Sequence, residues 1–386
     1  MLGCMPPIRP SAPSNPNRSH DAPARHRRIW RIPSAGSLAN LRLVTDSLPP
    51  PAPGEVQVRI QAIGLNFADI FACQGLYSAT PKGPFVPGLE AAGTIVAVGA
   101  GVTNRHIGER VMVLTRFGGY ADAMNVPAAT LWPVPSDWSF AQAAAYPVQA
   151  LTAWYGIERL GNARKDSLVL VQSAAGGVGL HALQALHSLE AKPVAVVGSE
   201  RKRQWLIAER GLAPEAIVVR NAQYPANLDA ALRHYQASGF DVVFDAVYGD
   251  AFQPAFDRLA PEGRYVLFGA ADFMGSGARP NPLRLLSSWL RRPKLDPLAM
   301  IPLNRGLLAF NLIWLWEQSA RLPESMRATL ALIPSPPHIG ARFAFEQAIE
   351  AMKLLQIMLT DPDGLTIELN FPGTTPEPAW PRGGAT

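Results

Sequence analysis

The chain contains very little cysteine, since Cys4 and Cys73 are its only thiols in 386 residues. Cys4 falls in a segment that we predict to be disordered, so no stable internal disulfide is expected. The same scarcity excludes a structural zinc site built from several cysteines. The seven histidines show no His-x-x-x-His pairing and no neighbouring cysteine, which argues against a histidine-rich metal site. We expect His181 and His187 to be partly exposed on a helix.

Charge and long apolar runs are also scarce. Charged residues make up 17% of the chain, and the net charge is +5. Residues 1–28 hold five arginines against one acid, so the rest is nearly neutral and gives no indication of a nucleic-acid partner. This segment is rich in proline and serine, which predicts a disordered tail without the apolar part of a secretory signal. The longest apolar run, residues 306–316, is about half a membrane span. We therefore expect a cytoplasmic protein.

Hydrophobic residues make up 48% of the sequence, and its length favours two folded domains. In the first half, Val56, Val58 and Ile60 alternate with polar residues, which is the period of a half-buried strand. Short strands separated by glycine turns follow, and they favour a small barrel-like domain over residues 29–149. The predicted strands lie at residues 56–62, 93–98, 110–114 and 120–126.

The second half alternates buried strands with helices, after an alanine-rich helical segment at residues 139–160. This order predicts an α/β fold with a doubly wound parallel sheet. We place this second domain at residues 150–312. Residues 313–370 are expected to return to the first domain, and residues 371–386 are expected to be frayed. The predicted parallel strands lie at residues 168–172, 194–197, 216–219, 241–246, 264–269 and 307–312.

A glycine-rich turn follows the first of these parallel strands. Residues 173–179 read Ser-Ala-Ala-Gly-Gly-Val-Gly, and a helix is predicted at residues 180–189. Glycines let the backbone approach an anion, and the free N–H groups at the start of a helix bind a pyrophosphate. The match to G-x-G-x-x-G is imperfect, because Ala174 holds the first glycine position. The residues expected to contact a dinucleotide here are Ala175, Gly176, Gly177, Val178 and Gly179.

The end of the next strand indicates which dinucleotide is bound. Sites for NAD usually place an acid there, about 20 residues past the glycines, to bind the ribose 2′-hydroxyl. Here the strand ends at Gly198-Ser199, followed by one acid and three cations at residues 200–203. A hydroxyl with cations suits a 2′-phosphate better, so we predict NADPH bound by Ser199 and Lys202. The alternative is that Ser199 only caps a helix with a solvated basic face.

Three segments of the first domain, together with the glycine-rich turn, resemble the medium-chain dehydrogenase/reductase superfamily. They are Gly-Leu-Asn-Phe-Ala-Asp at residues 64–69, Pro-Gly-Leu-Glu-Ala-Ala-Gly at 87–93 and Gly-Gly-Tyr-Ala at 118–121. Leu-Thr-Ala at residues 151–153 also fits, and the resemblance runs from about residue 30 to about residue 355. The chain looks like the zinc-independent quinone oxidoreductase branch. Residues 292–297, 304 and 310–313 look like the subgroup that contains vesicle amine transport protein 1.

This resemblance implies a GroES-like catalytic domain and a Rossmann domain, with the active site in the cleft between them. Zinc-dependent relatives have Gly-His-Glu where this chain has Gly88-Leu89-Glu90, and a leucine cannot ligate a metal. Those relatives also carry a cysteine ligand near residues 66–69, where this chain has no thiol. The expected cofactor is therefore NADPH, without a catalytic or structural zinc.

The resemblance also implies site residues. Asn66, Tyr77 and Thr152 are expected to line the cleft around the substrate and the nicotinamide. Each has a structural alternative, namely a turn residue, a half-buried aromatic and a helix-interior threonine. Arg220 is expected near the adenosine phosphate. Further cofactor contacts are implied at the ends of two strands, at Phe268, Gly269, Phe310 and Asn311.

Without zinc the site cannot polarise an alcohol or a carbonyl as a Lewis acid, so alcohol oxidation is not expected. The expected activity is hydride transfer from NADPH to a small apolar quinone or α,β-unsaturated carbonyl, with a donor stabilising charge on oxygen. One alternative is an enoyl reductase of lipid or polyketide metabolism. Another is a nucleotide-binding protein that acts through lipid or protein contacts with little catalysis. No general acid stands out, so water could supply the proton.

Residues 271–306 combine cations with an apolar face. Arginines at positions 279, 284, 291 and 292 are interleaved with Leu283, Leu286 and Trp289. Such a segment could form a lid over an apolar substrate or an amphipathic membrane contact. We favour a helix that packs on its own domain or on a partner subunit, and we expect a homodimer.

Overall fold

The computed structural model describes residues 25–273, 277–360 and 367–370, which build two sheet-centred regions. In the mixed-sheet region, residues 25–133, 341–360 and 367–370, the strands run in the order β14-β15-β3-β4-β5-β7, with β6 pairing with β3. A separate antiparallel pair, β1 and β2, lies beside this sheet. The first elements are β1 (Arg25–Arg31), β2 (Arg42–Leu48), β3 (Glu55–Gly64), α1 (Phe67–Cys73), β4 (Glu90–Val98), β5 (Arg110–Leu114), β6 (Ala123–Pro127) and β7 (Leu131–Pro133).

The parallel-sheet region, residues 140–333, contains six strands that all pair in parallel, in the order β10-β9-β8-β11-β12-β13. From β8 the chain adds β9 and β10 on one side, and it then crosses over to add β11, β12 and β13 on the other side. Parallel sheets of this kind bind ligands at the point between β8 and β11 where the order of addition reverses. The elements are α2 (Phe140–Ala144), α3 (Pro147–Trp154), β8 (Leu168–Val171), α4 (Gly177–Ser188), β9 (Lys192–Val197), α5 (Glu200–Arg210), β10 (Ile217–Val219), α6 (Tyr224–His234), β11 (Phe240–Asp245), α7 (Phe252–Phe256), β12 (Leu259–Leu267), α8 (Pro282–Arg291), α9 (Pro297–Met300) and β13 (Gly306–Ala309).

The remaining described elements are α10 (Leu322–Leu332), β14 (Ala341–Ala344), α11 (Ala348–Thr360) and β15 (Ile367–Asn370). β15 pairs antiparallel with β3, so the end of the chain completes the mixed sheet. The return to this sheet starts at β14, later than the predicted residue 313. Before it, Leu322 and Met326 pack in the same core as α3 and α4, because α10 covers those helices.

Two predicted boundaries differ from the structure for local reasons. The predicted disordered tail extends too far, because β1 begins at Arg25. The guanidinium of Arg28 contacts carboxylates of Asp122 at 3.2 Å and Glu346 at 2.6 Å, which orders this stretch. The strand predicted at residues 307–312 ends at Ala309, because the Asn311 side chain accepts a hydrogen bond from the Ile313 N–H at 3.4 Å and starts a 3-10 turn. The first 24 residues and residues 371–386 lie outside the described part.

The expected exposure of His181 is wrong, because its side chain is only 1% exposed. The helix α4 is covered on both sides, by the sheet and by α3 with α10, so no solvated face remains at this position. The imidazole packs edge-on against Tyr146, with ring centroids 5.4 Å apart. Burial lowers the pKa of His181 to about 4, so the ring is neutral at physiological pH. His187, the penultimate residue of α4, is exposed as expected.

The helix α8 carries an exposed apolar stripe. Within the part of the chain that the structure describes, none of its side chains is buried. The packed helix favoured from the sequence is therefore not seen within this chain. No helix among the described residues is long and apolar enough to cross a membrane. The stripe consists of Leu283, Leu286, Trp289 and Leu290, which are 77%, 54%, 52% and 59% exposed.

Candidate active site

A cavity of about 520 Å³ lies between the two regions, at the carboxyl ends of the parallel strands. Its size is typical of a small-molecule site. The mixed-sheet region contributes α1 and the loop after it, and the parallel-sheet region contributes α3, the glycine-rich turn and the ends of β12 and β13. The cavity brings together most of the predicted site residues, namely Asn66, Tyr77, Thr152, Gly176, Gly177, Val178, Gly179, Phe268, Gly269, Phe310 and Asn311.

The glycine-rich turn is part of the helix start, because α4 begins at Gly177 rather than at the predicted residue 180. Its N-cap, Gly176, offers no side chain, so no side-chain cap covers the first N–H groups of a 12-residue helix that borders the cavity. A Cβ on Gly179 would lie 2.4 Å from the carbonyl oxygen of Ser173. Only glycine permits this close approach, and the uncapped helix start fits a pyrophosphate.

Four predicted cofactor residues are not among those that line the cavity. Ala175 is buried within the turn. The other three lie where β9 and β10 end, and the N–H of Arg220 donates to the Val197 carbonyl at 2.7 Å. The Ser199 hydroxyl accepts from the Lys202 N–H at 3.4 Å, so Ser199 does cap α5. The roles of Ser199, Lys202 and Arg220 in cofactor binding stay predictions.

Asn66 is the N-cap of α1, and two buried carboxyl groups hold it. Its backbone N–H donates to Oδ2 of Asp69 at 2.8 Å. Its side-chain Nδ2 donates to Oε1 of Glu90 at 2.7 Å. The other oxygen of Glu90 accepts from the Val148 N–H at 2.7 Å, at the start of α3. Glu90 therefore joins the first turn of α1 to the first turn of α3.

Burial changes the acidity of both carboxyl groups. Desolvation raises the pKa of Glu90 to about 8, against the hydrogen bonds from Val148 and Asn66. Desolvation likewise raises the pKa of Asp69 to about 7, and Asp69 also accepts from the Tyr120 hydroxyl at 3.3 Å. Sequence reasoning missed both as site residues. The spacing of Asn66 and Asp69, which is that of a helix-capping pair, was the signal that could have found the second.

The hydroxyl protons of Tyr77 and Thr152 are engaged within the protein. Tyr77 donates to Oδ1 of Asn311 at 2.8 Å, and burial raises its pKa to about 12. Thr152 donates to the Val148 carbonyl at 2.7 Å, as expected of a helix-interior threonine. Asn66, in contrast, has two side-chain N–H groups and donates one of them to Glu90. Of the three predicted catalytic residues, it is therefore the one whose second N–H can donate to a ligand.

The rest of the cavity wall is mainly apolar. Phe268 and Phe310 contact each other at the ends of neighbouring strands, with ring centroids 5.9 Å apart and ring planes inclined by 30°. Such a wall excludes water and favours an apolar ligand. Further apolar side chains come from Leu89, Leu114, Leu151, Ile313 and Trp316.

The residues of this site do not fit a zinc ion. Leu89 lines the cavity at the position where the sequence motif of zinc-dependent relatives has histidine. Among residues 25–273, 277–360 and 367–370, no group of three or more His, Cys, Asp or Glu side chains is placed to hold a metal. The single described thiol, Cys73, is buried, and burial raises its pKa, which disfavours the thiolate that zinc requires.

Comparison with known proteins agrees with this geometry. Residues 52–136 match the alcohol dehydrogenase GroES-like domain, and residues 177–295 match the family called zinc-binding dehydrogenase. The human synaptic vesicle membrane protein VAT-1 homolog is 33% identical over 311 residues, which cover 80% of this chain and 77% of that protein. The bovine quinone oxidoreductase-like protein 2 is 31% identical, over 84% of this chain and 88% of its own.

A solved structure of the mycobacterial protein Rv1454c complexed with NADPH superposes with a TM-score of 0.74. It is 25% identical and covers 89% of this chain and 99% of its own. The chain belongs to the medium-chain dehydrogenase/reductase superfamily of oxidoreductases. Within it, the chain is similar to the VAT-1 homologs and to quinone oxidoreductase-like proteins. The resemblance and the fold class inferred from the sequence are therefore confirmed.

Proposed function

We propose that this protein reduces a small apolar quinone or α,β-unsaturated carbonyl with NADPH, and that it does so without zinc. One observation carries the proposal. A single apolar cavity holds both an uncapped helix start, at Gly176 and Gly177, and an amide donor, at Asn66. The first suits a pyrophosphate, and the second suits an oxygen on which charge develops. The mycobacterial neighbour solved with NADPH supports the choice of cofactor.

Bound in this cavity, NADPH would supply the hydride. The N–H groups of Gly177, Val178 and Gly179 would bind the pyrophosphate, and Thr152 and Phe268 would border the nicotinamide. Leu89 and Phe310 would exclude water from the acceptor. The remaining amide N–H of Asn66 would donate to the substrate oxygen as negative charge collects on it. Because the hydroxyl groups of Tyr77 and Thr152 already donate hydrogen bonds within the protein, we assign protonation of the product to water.

Steady-state oxidation of NADPH in the presence of quinones, enones and enoyl thioesters tests this function. We expect turnover with quinones or enones, and we expect Asn66→Ala to lower kcat by about 10² because it removes the oxyanion donor. Asn40→Ala is the matched control, since the Asn40 side chain is half-buried away from the cavity and donates to the Ser34 carbonyl. Turnover restricted to enoyl thioesters would favour the enoyl reductase instead. Tight NADPH binding without turnover on any acceptor would contradict both enzymatic functions.

A second candidate is a nucleotide-binding protein that acts through lipid or protein contacts. The exposed apolar stripe of α8, flanked by Arg284 and Arg291, favours it. Co-sedimentation with anionic vesicles, for the natural chain and for Leu286→Asp with Trp289→Asp, tests the lipid contact. Loss of sedimentation in the variant would support it.

We also propose a homodimer, and the molar mass in solution tests it. If the natural chain is a dimer and the same double variant is a monomer, the interface of the dimer covers the stripe.

We propose a cytoplasmic location and no nucleic-acid partner. The nearly neutral charge of the chain after residue 28 supports the absence of a nucleic-acid partner. Binding of duplex DNA at physiological salt would contradict it.

A further inference from the structure

The carboxyl group of Glu90 makes two hydrogen bonds, one to a group that can only donate and one to a group that can donate or accept. The Val148 N–H can only donate, so Oε2 of Glu90 must accept from it in every protonation state. The other oxygen, Oε1, faces the side-chain amide of Asn66. An ionised Oε1 accepts from Nδ2, whereas a protonated Oε1 donates to Oδ1. The protonation state of Glu90 thus decides which end of the amide it holds.

The backbone of Asn66 does not move with this choice. Its N–H is bonded to Asp69, and α1 starts at the next residue, so the amide can change ends only by rotating about its last side-chain bond. Held by its nitrogen, the amide offers the cavity Oδ1 and one N–H. Held by its oxygen, it offers two N–H donors. The first arrangement presents an acceptor beside a donor to a substrate oxygen, whereas the second presents donors only.

We propose that Glu90 is a positioning residue, which sets whether the Asn66 amide meets the substrate with its oxygen or only with its N–H donors. The inference rests on the proposed function, because it assumes that a carbonyl oxygen binds near Asn66. It deepens that function by assigning the best reduction of carbonyl acceptors to the form in which Glu90 is protonated. In that form no amide oxygen opposes the charge that develops on the substrate.

The surroundings of Glu90 let both forms exist near neutral pH. On α1, Asp69 opposes ionisation of Glu90 as a like charge, and Cys73 lies behind Asp69 with its thiol neutral. The Tyr120 hydroxyl donates to Asp69 and is neutral as well. On β3, Gly64 packs against Glu90 and brings no charge. Burial raises the pKa of Glu90 to about 8, where the two forms interchange.

Glu90→Gln tests the proposal, because it fixes one arrangement. The introduced amide must accept from Val148 with its oxygen, so its nitrogen donates to Oδ1 of Asn66. For the natural chain we expect kcat/KM with an enone to fall about tenfold as pH rises through about 8. E90Q should keep the low-pH value from pH 6 to pH 9. A fall of the same size in E90Q would overturn the proposal.

A double-mutant cycle with Asn66→Ala separates positioning from a general structural role. If Glu90 acts through Asn66, E90Q should leave kcat/KM of N66A unchanged, within about twofold. Thermal unfolding checks that all variants fold. A further loss in the double variant would overturn the proposal.

A readout without turnover separates failure of this inference from failure of the proposed function. In protein labelled with ¹⁵N-asparagine, the side-chain signals missing from N66A belong to Asn66. They should shift with a midpoint near pH 8 in the natural chain and stay fixed in E90Q. Absence of enone reduction with this shift present would refute only the proposed activity. Absence of the shift would refute the role of Glu90.

Discussion

The Tyr77 hydroxyl donates to Oδ1 of Asn311 at 2.8 Å and so joins the mixed-sheet region to the parallel-sheet region at the wall of the cavity. Tyr77 lies in the loop after α1, and Asn311 directly follows β13. A hydrogen bond between two regions fixes their spacing more than it changes the reaction within the cavity. We therefore expect its loss to affect binding of the acceptor rather than the chemical step.

Removing this hydroxyl with Tyr77→Phe should raise the KM for the acceptor three- to tenfold, as expected for about 1 kcal/mol of lost hydrogen bonding. The kcat should change by less than about threefold, because the Tyr77 hydroxyl already donates its proton to Asn311 and not to the substrate. Steady-state kinetics at saturating NADPH measures both constants. In an Asn311→Leu background the same substitution should have little further effect. A large fall in kcat alone would instead identify Tyr77 as a proton donor.

The two buried carboxyl groups predict how stability depends on pH. Burial raises the pKa of Asp69 to about 7 and that of Glu90 to about 8. The folded protein therefore holds protons that the unfolded chain releases above about pH 4. The free energy of unfolding should decrease as pH rises from about 4 to 8, because folding then requires extra protons. Denaturant unfolding at a series of pH values measures it, and E90Q should flatten the upper part of this decrease.

The glycine-rich turn makes a steric prediction. Gly179→Ala would put a Cβ 2.4 Å from the Ser173 carbonyl, so the turn must shift and its N–H groups would lose their alignment. The dissociation constant for NADPH should rise at least tenfold, measured by quenching of protein fluorescence. Gly306→Ala on β13 is the control, since the nearest atom would lie 4.0 Å from its Cβ. Equal affinity in both variants would mean that the cofactor does not use this turn.

The choice between NADPH and NADH can be tested at α5. Lys202→Ala should weaken NADPH binding about tenfold or more and leave NADH binding unchanged, if the Lys202 ammonium contacts the 2′-phosphate. Arg203→Ala is the matched control one position along the helix, because Arg203 pairs with Glu200 at 3.0 Å. Calorimetric titration with NADPH and with NADH gives two affinities for each variant. An equal loss for NADPH and NADH would show a structural role for Lys202.

The absence of zinc is a separate prediction. Metal analysis of protein purified without chelators should find less than about 0.1 zinc per chain, because Leu89 replaces a ligand and no cluster of ligands is seen among the described residues. Chelator treatment should leave the rate of NADPH oxidation unchanged. One zinc per chain would contradict the prediction.

Sequence patterns were most informative where one residue type has one physical purpose. The glycines at 176, 177 and 179 predicted a helix start with free N–H groups, which α4 has. Leu89 was expected only to be unable to ligate a metal, and the structure places its apolar side chain in the cavity wall. The burial of His181 could not be predicted, because it depends on α10, which arrives from more than 100 residues further along the chain. The pairing of Glu90 with Asn66 and Val148 likewise depends on the tertiary structure, which brings the starts of α1 and α3 to the same residue of β4.

The pairing of β15 with β3 has a consequence for how the protein is made. The mixed sheet joins residues near position 63 to residues near position 369, while the parallel sheet is built from one continuous stretch. During synthesis the parallel-sheet region can fold as soon as it leaves the ribosome, whereas the mixed sheet must wait for the last strands. Truncation before β14 should therefore spare the parallel-sheet region while leaving an open edge on the mixed sheet that promotes aggregation.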